Sequence, residues 1–71
     1  MGMRLADAEK WLYAAGFVLD HTRGSHRYYR HQTTHYRITL SPHGRDLEPF
    51  QVKRLVSDLR RMRLPAPDDV A

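Results

Sequence analysis

The sequence predicts an α+β domain with the order αβββα: a three-stranded antiparallel sheet carrying two helices on one face. Three observations lead there. Apolar residues recur at helical spacing near both ends of the chain. The middle alternates with period two and is punctuated by glycine and proline. The 71 residues hold one small domain with one modest core, because a chain this short buries only about 60% of its unfolded surface. So small a sheet becomes stable by burying one face, and two helices are what the chain offers to cover it.

Leu5, Ala8, Trp11, Leu12 and Ala15 mark the first helix, over about residues 4 to 15, and Gly16 stands where a left-handed C-terminal cap belongs. Phe17-Val18-Leu19-Asp20-His21 is β-prone, Thr22-Arg23-Gly24-Ser25 reads as a turn, and His26-Arg27-Tyr28-Tyr29-Arg30-His31 as the returning strand. After the polar Gln32-Thr33-Thr34, Tyr36, Ile38 and Leu40 alternate with His35, Arg37 and Thr39, the pattern of a half-buried third strand. Tyr28 and Tyr29 point to opposite faces, so one packs under the helices and the other stays on the open face. Which is which stays open at this stage.

Ser41-Pro42-His43-Gly44-Arg45-Asp46 has the composition of an irregular loop, and neither helix nor strand is expected in it. Pro49 suits the first turn of a second helix, over about residues 49 to 62, with an apolar stripe of Val52, Leu55, Val56, Leu59 and Met62. Arg60, Arg61 and Arg63 at its end offset the helix macrodipole. Leu64-Pro65-Ala66-Pro67-Asp68-Asp69 cannot continue the helix and has little to bury. The domain is therefore expected over residues 1–63, with 64–71 as a mobile tail.

Twelve Lys and Arg against eight Asp and Glu give a net charge of +4 and a pI near 10.0, with five histidines besides. This balance favours an anionic partner, nucleic acid ahead of membrane. Arginine supplies all but Lys10 and Lys53 of the cations, and its planar fork matches phosphate better than an ammonium does. Cysteine is absent, which excludes a disulfide framework, a thiolate metal site and a thiol nucleophile. No apolar stretch approaches the roughly 20 residues of a membrane span, and no signal-peptide pattern opens the chain, so a cytoplasmic location is expected.

The chemistry concentrates at Gly24-Ser25-His26, flanked by Arg23 and Arg27. Histidine titrates near neutrality, so a neutral imidazole can take the proton of an RNA 2′-hydroxyl, whose oxygen then attacks the adjacent phosphorus. Donors held ready for the charge that builds on the phosphate are Arg23, Arg27 and Arg45, and Gly24 lets the turn backbone approach a substrate. His21, His31 and His35 read as surface residues of the sheet, and the roles of His21 and His43 are open. No histidine pair sits at i,i+4 on a helix and no carboxylate accompanies one at ligand spacing, so neither metal nor other cofactor is expected. A non-catalytic RNA-binding module is the alternative, with His26 reduced to a hydrogen-bond donor.

From about Leu5 to Leu59 the chain resembles the HicA toxins, small mRNA-cleaving ribonucleases with a fold similar to the double-stranded-RNA-binding domain. The likeness rests on Ala15-Gly16-Phe17 at the end of the first helix, Gly24-Ser25-His26 at the hairpin, Tyr28-Tyr29-Arg30-His31, and Pro42-His43-Gly44 before the second helix. It implies a type II toxin–antitoxin system, His26 as the catalytic histidine, Arg23, Gly24, Ser25, Arg27 and Arg45 around the substrate, mRNA as target and a HicB-like antitoxin as partner. The chain departs from the family pattern where Pro42 and His43 are adjacent, and at Glu48-Pro49-Phe50-Gln51, where family members commonly carry a glycine.

Overall fold

Adjacent residues of the central strand belong to two different environments, and the architecture follows from that division. The structure, a computed structural model, describes residues 2–64. Its elements are β1 (Met3–Arg4), α1 (Leu5–Ala14), β2 (Phe17–Arg23), β3 (His26–His31), β4 (Arg37–Leu40), β5 (Asp46–Leu47) and α2 (Pro49–Arg61). Strands β2, β3 and β4 form one antiparallel sheet in that order, with both helices contributing to a single core on one side of it. The expected α+β fold with αβββα order is the observed one.

The core joins Ala8, Leu12 and Ala15 from the first helical segment to Phe17, Tyr29, Ile38 and Leu40 of the sheet and Val52, Leu55 and Leu59 of α2. These are the periodic positions of the sequence, and each fully buried large side chain among them contributes about 1.5–3 kcal/mol. Cross-strand pairs place Tyr29 between Leu19 and Ile38, and Tyr28 between His21 and Thr39. Tyr29 is thus the core residue, 1% exposed, and Tyr28 lies on the face that the helices leave uncovered.

Two elements differ from expectation. Within 41–46, His43 and Asp46 exchange backbone hydrogen bonds of 2.7 and 3.1 Å around Gly44-Arg45, with Gly44 at φ 64°, and the chain continues into β5. Strand β5 pairs with β1 (Met3 opposite Leu47, Arg4 opposite Asp46), and the Leu5 N–H donates to the Arg45 carbonyl at 2.8 Å. The segment expected to be irregular therefore ties the first helix to the second. Two-residue strands carry no periodicity, so nothing in the sequence announces them. The hairpin turn is also tighter than expected: β2 runs through Arg23, and only Gly24-Ser25 turn, with φ of 59° at Gly24, the geometry of a two-residue loop with glycine first.

His31 corrects a third expectation. It is buried at 8% exposure rather than on the surface. Nε2 lies 2.9 Å from the Ala15 carbonyl and donates to it, while Nδ1 accepts from the Thr33 and Thr34 N–H groups at 3.2 and 3.1 Å. Both ring nitrogens are used, which fixes the Nε2–H tautomer. The ring meets Phe17 edge-on at 5.1 Å and packs over Gly16, the left-handed cap residue at φ 98°.

Helix α2 ends with Arg63 at φ 59°, where the Arg63 N–H donates to the Arg60 carbonyl (3.0 Å) and the Leu64 N–H to the Leu59 carbonyl (2.8 Å), a Schellman closure that packs Leu64 against the core. The tail expected over 64–71 lies, from 65 onward, outside the described residues. Among the described residues no helix is long and apolar enough to cross a membrane.

A methyl group on Gly16 would stand 2.8 Å from His31 Nε2, on a backbone conformation that L-residues adopt at a cost. Gly16→Ala is expected to lower unfolding free energy by about 1–3 kcal/mol, read from urea denaturation with an unchanged m-value.

Candidate functional site

The uncovered face of the sheet is built by strand alternation plus one irregularity. His26, Tyr28 and Arg30 share a face of β3 because every second side chain points the same way. On β2 the register shifts between Leu19 and His21, leaving Asp20 as the extra residue of a bulge. Without it Asp20 would stand opposite Tyr28. The bulge puts His21 there instead, and the two rings stack at 4.4 Å with 13° between planes. His26 continues the row, 6.3 Å from Tyr28 at 28°. Asp20 Oδ2 lies 3.0 Å from His21 Nδ1, and Oδ1 is 3.9 Å from Arg30 Nε.

His26 is exposed at the first position of β3, directly opposite Arg23, with Gly24-Ser25 between them. It opens onto a groove of about 420 Å³ that separates β4 from α2, lined also by Arg37, Thr39, Phe50, Arg54 and Asp58. The Gln51 amide holds the two walls together: its Nε2 donates to the Ser41 carbonyl at 2.8 Å and its Oε1 accepts the Ser41 N–H at 2.9 Å. Among the described residues no carboxylate lies within ion-pair distance of Arg23, Arg37 or Arg54, and Asp58 is engaged by Arg61 at 2.9 Å.

Of the residues that the sequence grouped around a substrate, Arg23, Gly24, Ser25 and His26 come together, whereas Arg27 and Arg45 stand apart. Arg45 sits in the turn that leads to β5 and does not line the groove. Arg27 follows His26 by one residue and so lies on the helix side. Its Nη2 donates to Glu9 Oε2 at 2.7 Å, and its Nε donates to Tyr29 Oη at 3.0 Å and to the same Glu9 oxygen at 3.2 Å. The Tyr29 hydroxyl donates to that oxygen too, at 2.6 Å.

Burial alone would raise the Glu9 carboxyl, but hydrogen bonds from Tyr29 and Arg27 and the charge of Arg27 outweigh it and hold the group below its ordinary 4.5. The Tyr29 hydroxyl is pushed up, first by burial and then by its bond to Glu9. The bonds to Tyr29 and Glu9 push the Arg27 guanidinium up as well. Arg27 is thus a partly buried cation already paired within the fold.

Sequence reasoning missed Arg37, Phe50 and Arg54 as groove residues, because the adjacency of β4 and α2 depends on tertiary packing and their spacing carries no motif. A weak signal existed: Phe50 lies off the apolar stripe of α2, and a large apolar residue off its stripe is left for something other than the core.

The arrangement is a histidine with neighbouring cations on an exposed, aromatic-bearing sheet face. A family model described as the HicA toxin of bacterial toxin-antitoxin matches residues 6–64, most of the chain. The chain belongs to the HicA toxin family. No curated protein and no solved structure matches it. The HicA match covers all but the first residue of α1, the whole three-stranded sheet and α2, so the face that carries His26 lies within it.

Glu9→Gln keeps an acceptor for Tyr29 but leaves Arg27 without its counter-charge, and is expected to cost about 1–2 kcal/mol in urea denaturation at pH 7. The Glu9 carboxyl is lowered in the folded state, so its contribution is complete above about pH 4.5 and is lost as pH falls through the lower folded value. The destabilisation by Glu9→Gln should therefore shrink on acidification below pH 4.5, a trend that the same denaturation series reads directly.

Proposed function

We propose that this HicA-family toxin is a metal-independent endoribonuclease that cuts mRNA with His26 as general base. The observation that carries the reading is the position of His26: exposed at a tight turn, opposite Arg23, and open to a groove with two further arginines.

The neutral imidazole accepts the proton of a 2′-hydroxyl. The 2′-oxygen bonds to the adjacent phosphorus, the bond from phosphorus to the 5′-oxygen breaks, and that oxygen takes a proton from solvent. The products are a 2′,3′-cyclic phosphate and a 5′-hydroxyl. Arg23 offsets the charge that grows on the phosphate oxygens, and Gly24 and Ser25 allow the backbone to come close. Arg27, bonded to Glu9 and Tyr29, serves the reaction by holding β3 in place, and the reading needs nothing of Arg45, which lies outside the groove.

One positioned base contributes roughly 10²–10⁴-fold, so the enzyme is slow by general standards. Its natural restraint is an acidic HicB-like antitoxin that covers the basic face in the cytoplasm. Charge complementarity with a chain of net charge +4 supports that partner.

The test is incubation of labelled single-stranded RNA in EDTA with the parent and with His26→Ala. Cleavage by the parent should leave cyclic or 3′-phosphate ends, fall by about 10²–10⁴-fold in the variant, and vanish on a substrate that is 2′-deoxy at the cleaved nucleotide. Equal cleavage by both proteins would remove His26 from the mechanism. RNA binding without cleavage by either would make the chain a binding module.

A further inference from the structure

The groove beside His26 has a wall that the core does not need. Phe50 is 66% exposed at the start of α2, away from the stripe of Val52, Leu55, Val56 and Leu59 that fills the interior. Arg54 follows four residues later, on the same side of the helix, and is exposed as well. Both line the groove, and Arg37 lines it from β4. An aromatic ring and two guanidiniums lining one groove offer a base a stacking surface and its flanking phosphates two cations.

We propose that this groove is a subsite for a single strand of RNA, in which the Phe50 ring stacks on an unpaired base next to the cleaved phosphate while Arg37 and Arg54 hold the phosphates around it. The identity of the ligand rests on the ribonuclease reading above. Single-strandedness follows from the ring itself, because a duplex keeps its base faces inside the stack and offers a surface phenyl group only backbone and groove edges, on which it cannot stack. Asp58 lines the groove eight residues beyond Phe50 along α2, and its negative charge, shared with Arg61, opposes phosphate there.

The experiment measures binding in the His26→Ala chain, so that cleavage plays no part in the readout. A labelled single-stranded RNA oligonucleotide is titrated over a series of salt concentrations, beside a duplex of the same sequence. Phe50→Ala is expected to weaken single-strand binding about 10-fold and to leave duplex binding unchanged. Arg37→Gln and Arg54→Gln should each reduce the slope of log affinity against log salt by about 0.7. Lys10→Gln, which removes an exposed charge from α1, should leave that slope at the value of the His26→Ala chain. All these positions are exposed, and thermal unfolding verifies that each variant folds.

Unchanged single-strand affinity in Phe50→Ala, or equal losses on single strand and duplex, overturns the proposal. So does an arginine pair that leaves the salt slope untouched. Loss of antitoxin capture by Phe50→Ala with RNA affinity intact would assign the groove to a protein and overturn it too. Should His26→Ala cleave RNA like the parent, the catalytic reading fails, and the groove variants are then titrated on a fully 2′-deoxy single strand that cannot be cut by 2′-oxygen attack, so the two failures stay distinct.

Discussion

A single carboxylate oxygen sets the geometry of this domain. Glu9 Oε2 accepts hydrogen bonds from Arg27 and from the Tyr29 hydroxyl, and so fastens α1 to the central strand at two consecutive inward positions. Once Arg27 and Tyr29 face the helices, strand geometry compels His26, Tyr28 and Arg30 to face away. An inward-pointing arginine would be costly without its counter-charge, and Glu9 removes that cost. The segregation of structural from chemical side chains on β3 is in this sense an electrostatic result. Two arginines near one histidine carry different duties because one of them has a carboxylate beside it.

His31 performs the complementary task at the other end of the strand. Its two nitrogens serve the Ala15 carbonyl and the Thr33 and Thr34 amides, groups that the end of α1 and the turn after β3 would otherwise leave without partners. The imidazole acts there as a structural crosspiece, while His26, five residues away, has its ring in solvent. Burial and hydrogen bonding, not residue type, separate the two.

The sequence made the fold legible wherever side chains repeat. Helical spacing marked both helices to within a residue or two, and alternation marked β4. It was silent wherever the determinant is a single backbone event. The bulge at Asp20, which turns His21 onto the face of Tyr28, has no compositional mark. Neither has the β1–β5 ribbon, in which two residues on each side pair across most of the chain. At the candidate site, the meeting of Arg23, Gly24, Ser25 and His26 was legible because they are contiguous and make up a turn and its two flanks. The groove residues Arg37, Phe50 and Arg54 come from separate elements and meet only after packing. Arg27 illustrates the opposite hazard: proximity in sequence to His26 suggested proximity in space, and strand alternation separates them.

The Gln51 amide has a meaning beyond joining two walls. By occupying both the N–H and the carbonyl of Ser41, it sits where the backbone of a fourth strand would begin to pair, at the open border of β4. The opposite border, β2, is kinked by its bulge. Exposed borders of this kind invite lateral growth of a sheet into chains of molecules, and here one is stoppered by a side chain and the other is bent out of register. Both borders of the sheet are thereby guarded against lengthening, which leaves the uncovered face as its open surface.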